Sequence, residues 1–338
     1  MKNFSTTKLH SKMALDYPLL RWDFTKDFYE HRQECEEKLR ELLGLDTLEK
    51  CPDDFTIVTE DKIQGKRHVH FLVQTEKGYY VNCHLLLPRE EKEKMPLCLC
   101  MQGHVSGAHL SLGVYKFPYD EVYLSEEEGL QFAVQATDRG YAALALELRG
   151  FGANSDNENG CGTSCEQAAM GAMLLGRTLI GERVWDIQRV LDSALNHFDF
   201  ITMENSILMG ESGGGTATYY AACLEDRFSV YVPIVALCDY KSSIFDLNHC
   251  KCNYIPHIAK YFDMGDLAIL ISPKKLVVAS ATQDKWFPIE GAKREFERIE
   301  RIYSALGCKD RCRMVIQNSG HCFRPDEGWD AILEILKQ

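Results

Sequence analysis

From Pro96 onward, short apolar runs alternate with longer amphipathic ones, and few folds accept that alternation. The runs are PLCLCMQ (96–102), YAALALEL (141–148), SILMG (206–210), VYVPIVAL (230–237), KLVVASA (275–281) and RMVIQ (313–317). Each has the length of a strand, and none has the polar alternate positions of a strand with one wet face. Helical patterns lie between them. Over 178–198, Ile180, Val184, Ile187, Leu191, Ala194 and Phe198 fall on one stripe. A second pattern runs over 289–306 through Phe296, Ile299 and Tyr303, and a last one carries Trp329, Ile332, Leu333 and Leu336. Strands that alternate with helices imply right-handed crossovers and a mainly parallel central sheet with helices on both faces. In such sheets functional groups gather at the carboxyl ends of the strands.

The start of the chain differs. Phe24, Phe28, Cys35, Leu39 and Leu42 fall near helical spacing among many charges, which predicts an amphipathic helix lying on the main body. Residues 56–75 and 79–88 alternate like strands, with KGYY (77–80) as the turn between them. No repeat, low-complexity tract or Pro/Gly/Ser linker divides the 338 residues. The expected organisation is therefore a helical extension over 1–55 and one α/β domain over 56–338.

Charge and cysteine usage narrow the function classes. Lys plus Arg number 38 against 50 Asp plus Glu, a net charge of -12 that gives neither nucleic acid nor an anionic membrane a basic face. No segment has the apolar length that crosses a bilayer, and MKNFSTTKLHSKMALDYPLL lacks the pattern of a signal peptide. Fourteen cysteines are scattered through apolar runs such as PLCLCM, where Cys acts as a small hydrophobe. Together these features predict a cytoplasmic protein.

The strongest chemical signal is Gly210-Glu211-Ser212-Gly213-Gly214-Gly215, between the run SILMG and a stretch of good helix formers. A G-x-S-x-G pattern alone is weak. Set between a strand and a helix, it is the nucleophile elbow, in which a sharp turn holds Ser212 exposed above the sheet. Flanking side chains would clash there, hence the glycines. The helix start also directs N–H groups and partial positive charge toward developing negative charge.

A serine nucleophile needs a base, and the base needs an orienting acid; in hydrolases built on such sheets they follow in the order Ser, acid, His. Of His197, His249, His257 and His321, only His321, in NSGHCF, lies in the loop between the last strand and the last helix. Asp284, just past the run KKLVVASA, is the best-placed acid; Asp239 at the end of VPIVALCD is its rival, and Asp266 is a third carboxylate in that region. Oxyanion donors are expected from the backbone N–H of Gly213 and of His104, in the turn MQGHVSG (101–107). The His104 side chain itself is expected only to pack or to reach solvent.

Metal and phosphate chemistry are weaker readings. His249, Cys250 and Cys252 lie close together, and Cys161 and Cys165 are four apart, but no paired C-x-x-C spacing occurs. The expectation is therefore no metal and no cofactor. RGFG lacks the third glycine of a dinucleotide cradle. The polar, glycine-rich segment 149–165 reads as a mobile loop that borders a pocket.

The elbow GESGGG, the run LLGRTLIGERVWDIQRVLD (174–192), the string CNYIPHIAKYFDMGDLAILISPKKLVVASATQDKWFP (252–288) and the terminal SGHCF together resemble the α/β-hydrolase superfamily. Within it they are similar to bacterial acetyl xylan esterase-like and dienelactone hydrolase-like proteins. That resemblance implies the α/β-hydrolase fold with Ser212 as nucleophile, Asp284 as acid and His321 as base. Dienelactone hydrolases carry Cys at the elbow; Ser212 instead points to ordinary ester hydrolysis. The expected activity is a serine carboxylesterase acting on short, mainly acetyl, esters of a small molecule or oligosaccharide, with a homo-oligomer compatible with the chain. The alternatives are a peptidase or amidase of the same fold, or a catalytically inert binding protein.

Overall fold

A computed structural model describes residues 4–14, 18–124 and 129–338. Nine strands form a single sheet: β1 (Phe55–Ile63), β2 (Lys66–Glu76), β3 (Tyr79–Leu86), β4 (Met95–Met101), β5 (Ala142–Leu146), β6 (Ile201–Glu211), β7 (Val230–Ile234), β8 (Lys275–Ala281) and β9 (Cys312–Gln317). Their spatial order is β1-β2-β3-β5-β4-β6-β7-β8-β9. The first three run antiparallel, and β3 pairs antiparallel with β5; every later pairing is parallel. This is the mainly parallel sheet of the α/β-hydrolase fold.

Seven helices of eight residues or more accompany the sheet among the described residues: α1 (Thr6–Met13), α2 (Phe28–Leu43), α3 (Cys165–Leu174), α4 (Leu179–His197), α5 (Gly213–Leu224), α6 (Ile289–Ala305) and α7 (Pro325–Leu336). The buried runs divide by alternation. On β4, Leu97, Leu99 and Met101 face a core shared with α2, α4, α5 and α6, whereas Cys98 and Cys100 face a second core under α7. Both faces of β4, β5, β7 and β8 are therefore covered, which is why these strands carry no polar alternate. The expectation fails for RMVIQ, because β9 is an edge strand with Arg313 and Ile316 exposed. No helix among the described residues is long and apolar enough to cross a membrane.

One expectation is corrected. Residues 55–76 form two strands, because Gln64 (φ 52°) and Gly65 (φ 77°) make a two-residue turn with positive φ at both positions. Such a turn matches the twist of a tight hairpin, and the alternation simply continues through it. Part of the 1–55 segment lies outside the described residues; within it, α2 begins at an Asp27 cap and ends at Gly44 in the left-handed region.

A buried charge network fastens the antiparallel strands to the parallel part. Arg149, just beyond β5, donates from Nε and Nη2 to Asp186 of α4 at 2.7 and 2.9 Å, and Thr75 of β2 donates to the same carboxylate at 2.6 Å. Asp186 is fully buried, and the guanidinium also sits 4.2 Å from the Tyr79 ring of β3. Removing Asp186 strips the buried guanidinium of its bidentate, fully buried partner and leaves it the less buried Glu76 at 3.1 Å and Glu182 at 3.6 Å. Asp186→Ala should therefore lower unfolding stability by about 3–5 kcal/mol, measured by urea denaturation; a change within about 0.5 kcal/mol would mean that solvent reaches the arginine.

Candidate active site

The turn between β6 and α5 holds Ser212 at φ 54° and ψ −115°, a left-handed conformation that a non-glycine residue rarely adopts. Its amide donates to the carbonyl of Ile234 on β7 at 2.9 Å, and its carbonyl accepts from Thr216 in the first turn of α5. Close packing explains the glycines around it. A Cβ at Gly210 would stand 2.5 Å from the Gly214 carbonyl oxygen, and one at Gly214 would stand 2.5 Å from that of Met101 on β4. Ser212 is half-buried and opens into a cavity of about 340 Å³.

His321, in the loop after β9, lines the same cavity. Its Nδ1 lies 2.8 Å from Asp284 Oδ2, and the ring stacks on Phe287 with 9° between the planes. The Asp284 side chain is wholly buried, and its other oxygen accepts from the backbone amides of Trp286 and Phe287 at 2.8 and 3.0 Å. Three donors thus hold the carboxylate with one oxygen aimed at the imidazole. A hydrogen bond of that kind fixes Nδ1 as the protonated nitrogen and leaves Nε2 able to accept a proton. The rival carboxylates are engaged elsewhere. Asp239 accepts from Ser242 and Arg294, and Asp266 is held by Arg21 and Arg298.

The turn after β4 lies against the elbow. A Cβ at Gly103 would come within 2.9 Å of Ser212 Cβ, and one at Gly213 within 2.9 Å of the His104 ring. Among the described residues no acceptor takes the His104 amide. Gly213 opens α5, where the first amides have no intrahelical partner. The expected donors are therefore neighbours beside Ser212. The His104 side chain is half-buried on the cavity wall and packs, one of the two outcomes expected of it. Its ring packs 4.8 Å from Phe151, and Nε2 lies 3.2 Å from Cys252 Sγ.

Two features of the wall were not expected from sequence. Trp286, Tyr123, Leu130 and Val105 give the cavity an apolar surface, and His249 joins them. Burial lowers the His249 pKa to about 4, so the ring is neutral near pH 7, with Nδ1 2.9 Å from the Asn253 amide nitrogen. The expected border of polar loop residues is absent from this wall. Segment 149–165 is instead fastened: Gly152 donates to Gly162, Gly162 to Ser106, and Asn154 exchanges hydrogen bonds with Asn82 and Tyr80 of β3. From this segment Phe151 packs against His104 and Gly213, and Cys165 Sγ lies within 4.8 Å of the His104 ring nitrogen.

Comparison with known proteins agrees with this architecture. Residues 26–268 match the family described as acetyl xylan esterase (AXE1), well over half of the chain, and the chain belongs to that family. "Putative hydrolase YtaP" of Bacillus subtilis (strain 168) is 26% identical over 193 residues, 56% of this chain; the match spans 62% of that relative's length. Among solved structures, a "putative acetyl xylan esterase (BF1801)" from Bacteroides fragilis NCTC 9343 superposes with a TM-score of 0.77 at 16% identity, covering 94% of this chain and 83% of its own. An acetyl xylan esterase from Paenibacillus sp. R4 gives 0.60 at 17% identity, covering 95% and 99%. At such identities the two structures speak to the fold alone.

The hydrogen bonding separates the two acids experimentally. Asp284→Asn should cut kcat by about three to four orders of magnitude through the wrong imidazole tautomer, and Asp239→Asn by less than about tenfold. The opposite ranking, measured on any turned-over ester, would move the acid to the loop after β7.

Proposed function

We propose that this member of the acetyl xylan esterase family is a serine esterase that removes short acyl groups, chiefly acetyl, from hydroxylated alcohols such as sugars. Ser212 Oγ gives its proton to His321 Nε2 and attacks the ester carbonyl. The amides of Gly213 and His104 receive the developing oxyanion, and Asp284 stabilises the imidazolium. Collapse of the tetrahedral species breaks the ester C–O bond, and His321 returns its proton to the departing alcohol. Water, deprotonated by the same imidazole, then releases the acyl group as a carboxylate. The observation that carries this reading is the placement of a positive-φ serine and an aspartate-paired histidine on one cavity wall.

The preference for short chains is read from the cavity, not from the polar loop. Its volume of about 340 Å³ lies near the lower end of small-molecule pockets, which span about 300–1,000 Å³. An acetyl group and part of a sugar suit that space, while a long acyl tail would project past Trp286 into water. The fourteen free cysteines suit a reducing, cytoplasmic setting, and the net charge of -12 disfavours nucleic-acid partners.

A panel of p-nitrophenyl acetate, butyrate and octanoate, with acetylated xylo-oligosaccharides, tests substrate class. Each methylene denied apolar contact forgoes about 0.8 kcal/mol, so kcat/KM should fall clearly from acetate to octanoate, with acetate released from the sugars. A tenfold preference for octanoate together with inert sugars would overturn the acetyl-sugar reading, each tenfold being about 1.4 kcal/mol.

A further inference from the structure

Four side chains with metal-ligand chemistry, far apart in the chain, converge behind the cavity wall. His104 follows β4, Cys165 opens α3, and Cys250 and Cys252 lie between β7 and β8. Their ligand atoms all lie within 4.8 Å of one another. His104 Nε2 is 3.2 Å from Cys252 Sγ, which is itself 3.3 Å from Cys250 Sγ. With Zn–S near 2.3 Å and Zn–N near 2.0–2.1 Å, the corners of a tetrahedral site stand about 3.5–3.8 Å apart, so small side-chain adjustments suffice. None of the three cysteines is in a disulfide.

Ordinary packing does not account for the polar members of this cluster. Cysteines scattered through a core behave as small hydrophobes, but here an imidazole nitrogen points among them and a buried cation stands beside them. Arg183 of α4 is 1% exposed. It donates to the Arg149 carbonyl at 3.1 and 2.8 Å and to Cys165 Sγ at 3.3 Å. Its guanidinium also lies 4.2 Å from the centre of the Phe151 ring, and none of the ion pairs among the described residues includes it. A buried charge needs a compensating partner. Three neutral thiols supply none; three thiolates around a divalent cation carry a net charge of minus one and do.

We propose that His104, Cys165, Cys250 and Cys252 together bind one zinc ion in a closed, four-ligand site. Thiolates with one imidazole are the donor set that selects zinc over harder cations. Because the protein supplies all four ligands, no position is left for a water to be activated, and the ion acts as a clamp. It ties the turn that carries the His104 amide to α3 and to the segment whose Asn248, His249 and Cys250 line the cavity. The donor set stands on its own geometry and does not depend on the esterase reading.

Metal content and cobalt spectroscopy test this without any hydrolysis assay. The full chain, purified under reducing conditions without chelator, should contain about one zinc per chain by mass spectrometry. Metal-stripped protein loaded with cobalt should show a thiolate-to-cobalt charge-transfer band and the intense visible bands of a tetrahedral centre. C165S, C250S and C252S should each weaken the charge-transfer band by about a third, one thiolate of three, while C161S leaves it unchanged. The wild-type spectrum decides the matter even where a variant fails to fold. Zinc below about one ion per ten chains after incubation with zinc and dialysis would overturn the proposal, as would an octahedral cobalt spectrum or a native disulfide among these cysteines.

Discussion

The turn at Ser212 can exist only because Gly210, Gly214 and Gly215 carry no side chain. Holding a serine at positive φ costs backbone energy that the surroundings must over-determine. Here β6 is locked between β4 and β7, and α5 leaves the sheet so closely that its first residues touch the carbonyls of Met101, Gln102 and Ile234. Glycine at 210, 214 and 215 is therefore a packing requirement of this crossover. One consequence is chemical: the same close approach sets the free amides at the start of α5 beside Ser212 and brings Gly103 and His104 against it.

The parallel sheet then collects the other groups without special devices. Asp284 follows β8 and His321 follows β9, adjacent strands whose ends lie side by side. The two loops are short enough that backbone amides of one fix the carboxylate that faces the imidazole of the other. Toward the other side of the sheet, the Arg149–Asp186 network joins the antiparallel strands to α4, so that this edge is held by charge as well as by apolar burial.

What the sequence revealed follows the range of the interactions concerned. Five of the six runs from Pro96 onward read as strands because burial on both faces leaves a local signature, whereas RMVIQ forms the edge strand β9 with Arg313 and Ile316 exposed; the elbow read as a turn because its glycines are contiguous. The hairpin at Gln64–Gly65 was hidden because a two-residue turn need not interrupt period-two alternation. Segment 149–165 looked mobile from composition, yet its polar side chains are spent on bonds to β3 and to its own backbone. Least legible was the meeting of His104 and Cys165 with Cys250 and Cys252. Zinc motifs are recognised by short spacing, and here only Cys250 and Cys252 are neighbours in sequence; the fold supplies the rest.

The central claim is that one serine, and no other nucleophile, is activated in this fold. Treating the folded protein with a serine-directed fluorophosphonate and mapping the adduct by peptide mass spectrometry addresses it directly. The account predicts one adduct per chain, at Ser212, abolished in the Ser212→Ala protein along with turnover, because the triad acts as a unit. A stoichiometric adduct at another residue, or a Ser212→Ala protein that still hydrolyses esters at the wild-type rate, would contradict it.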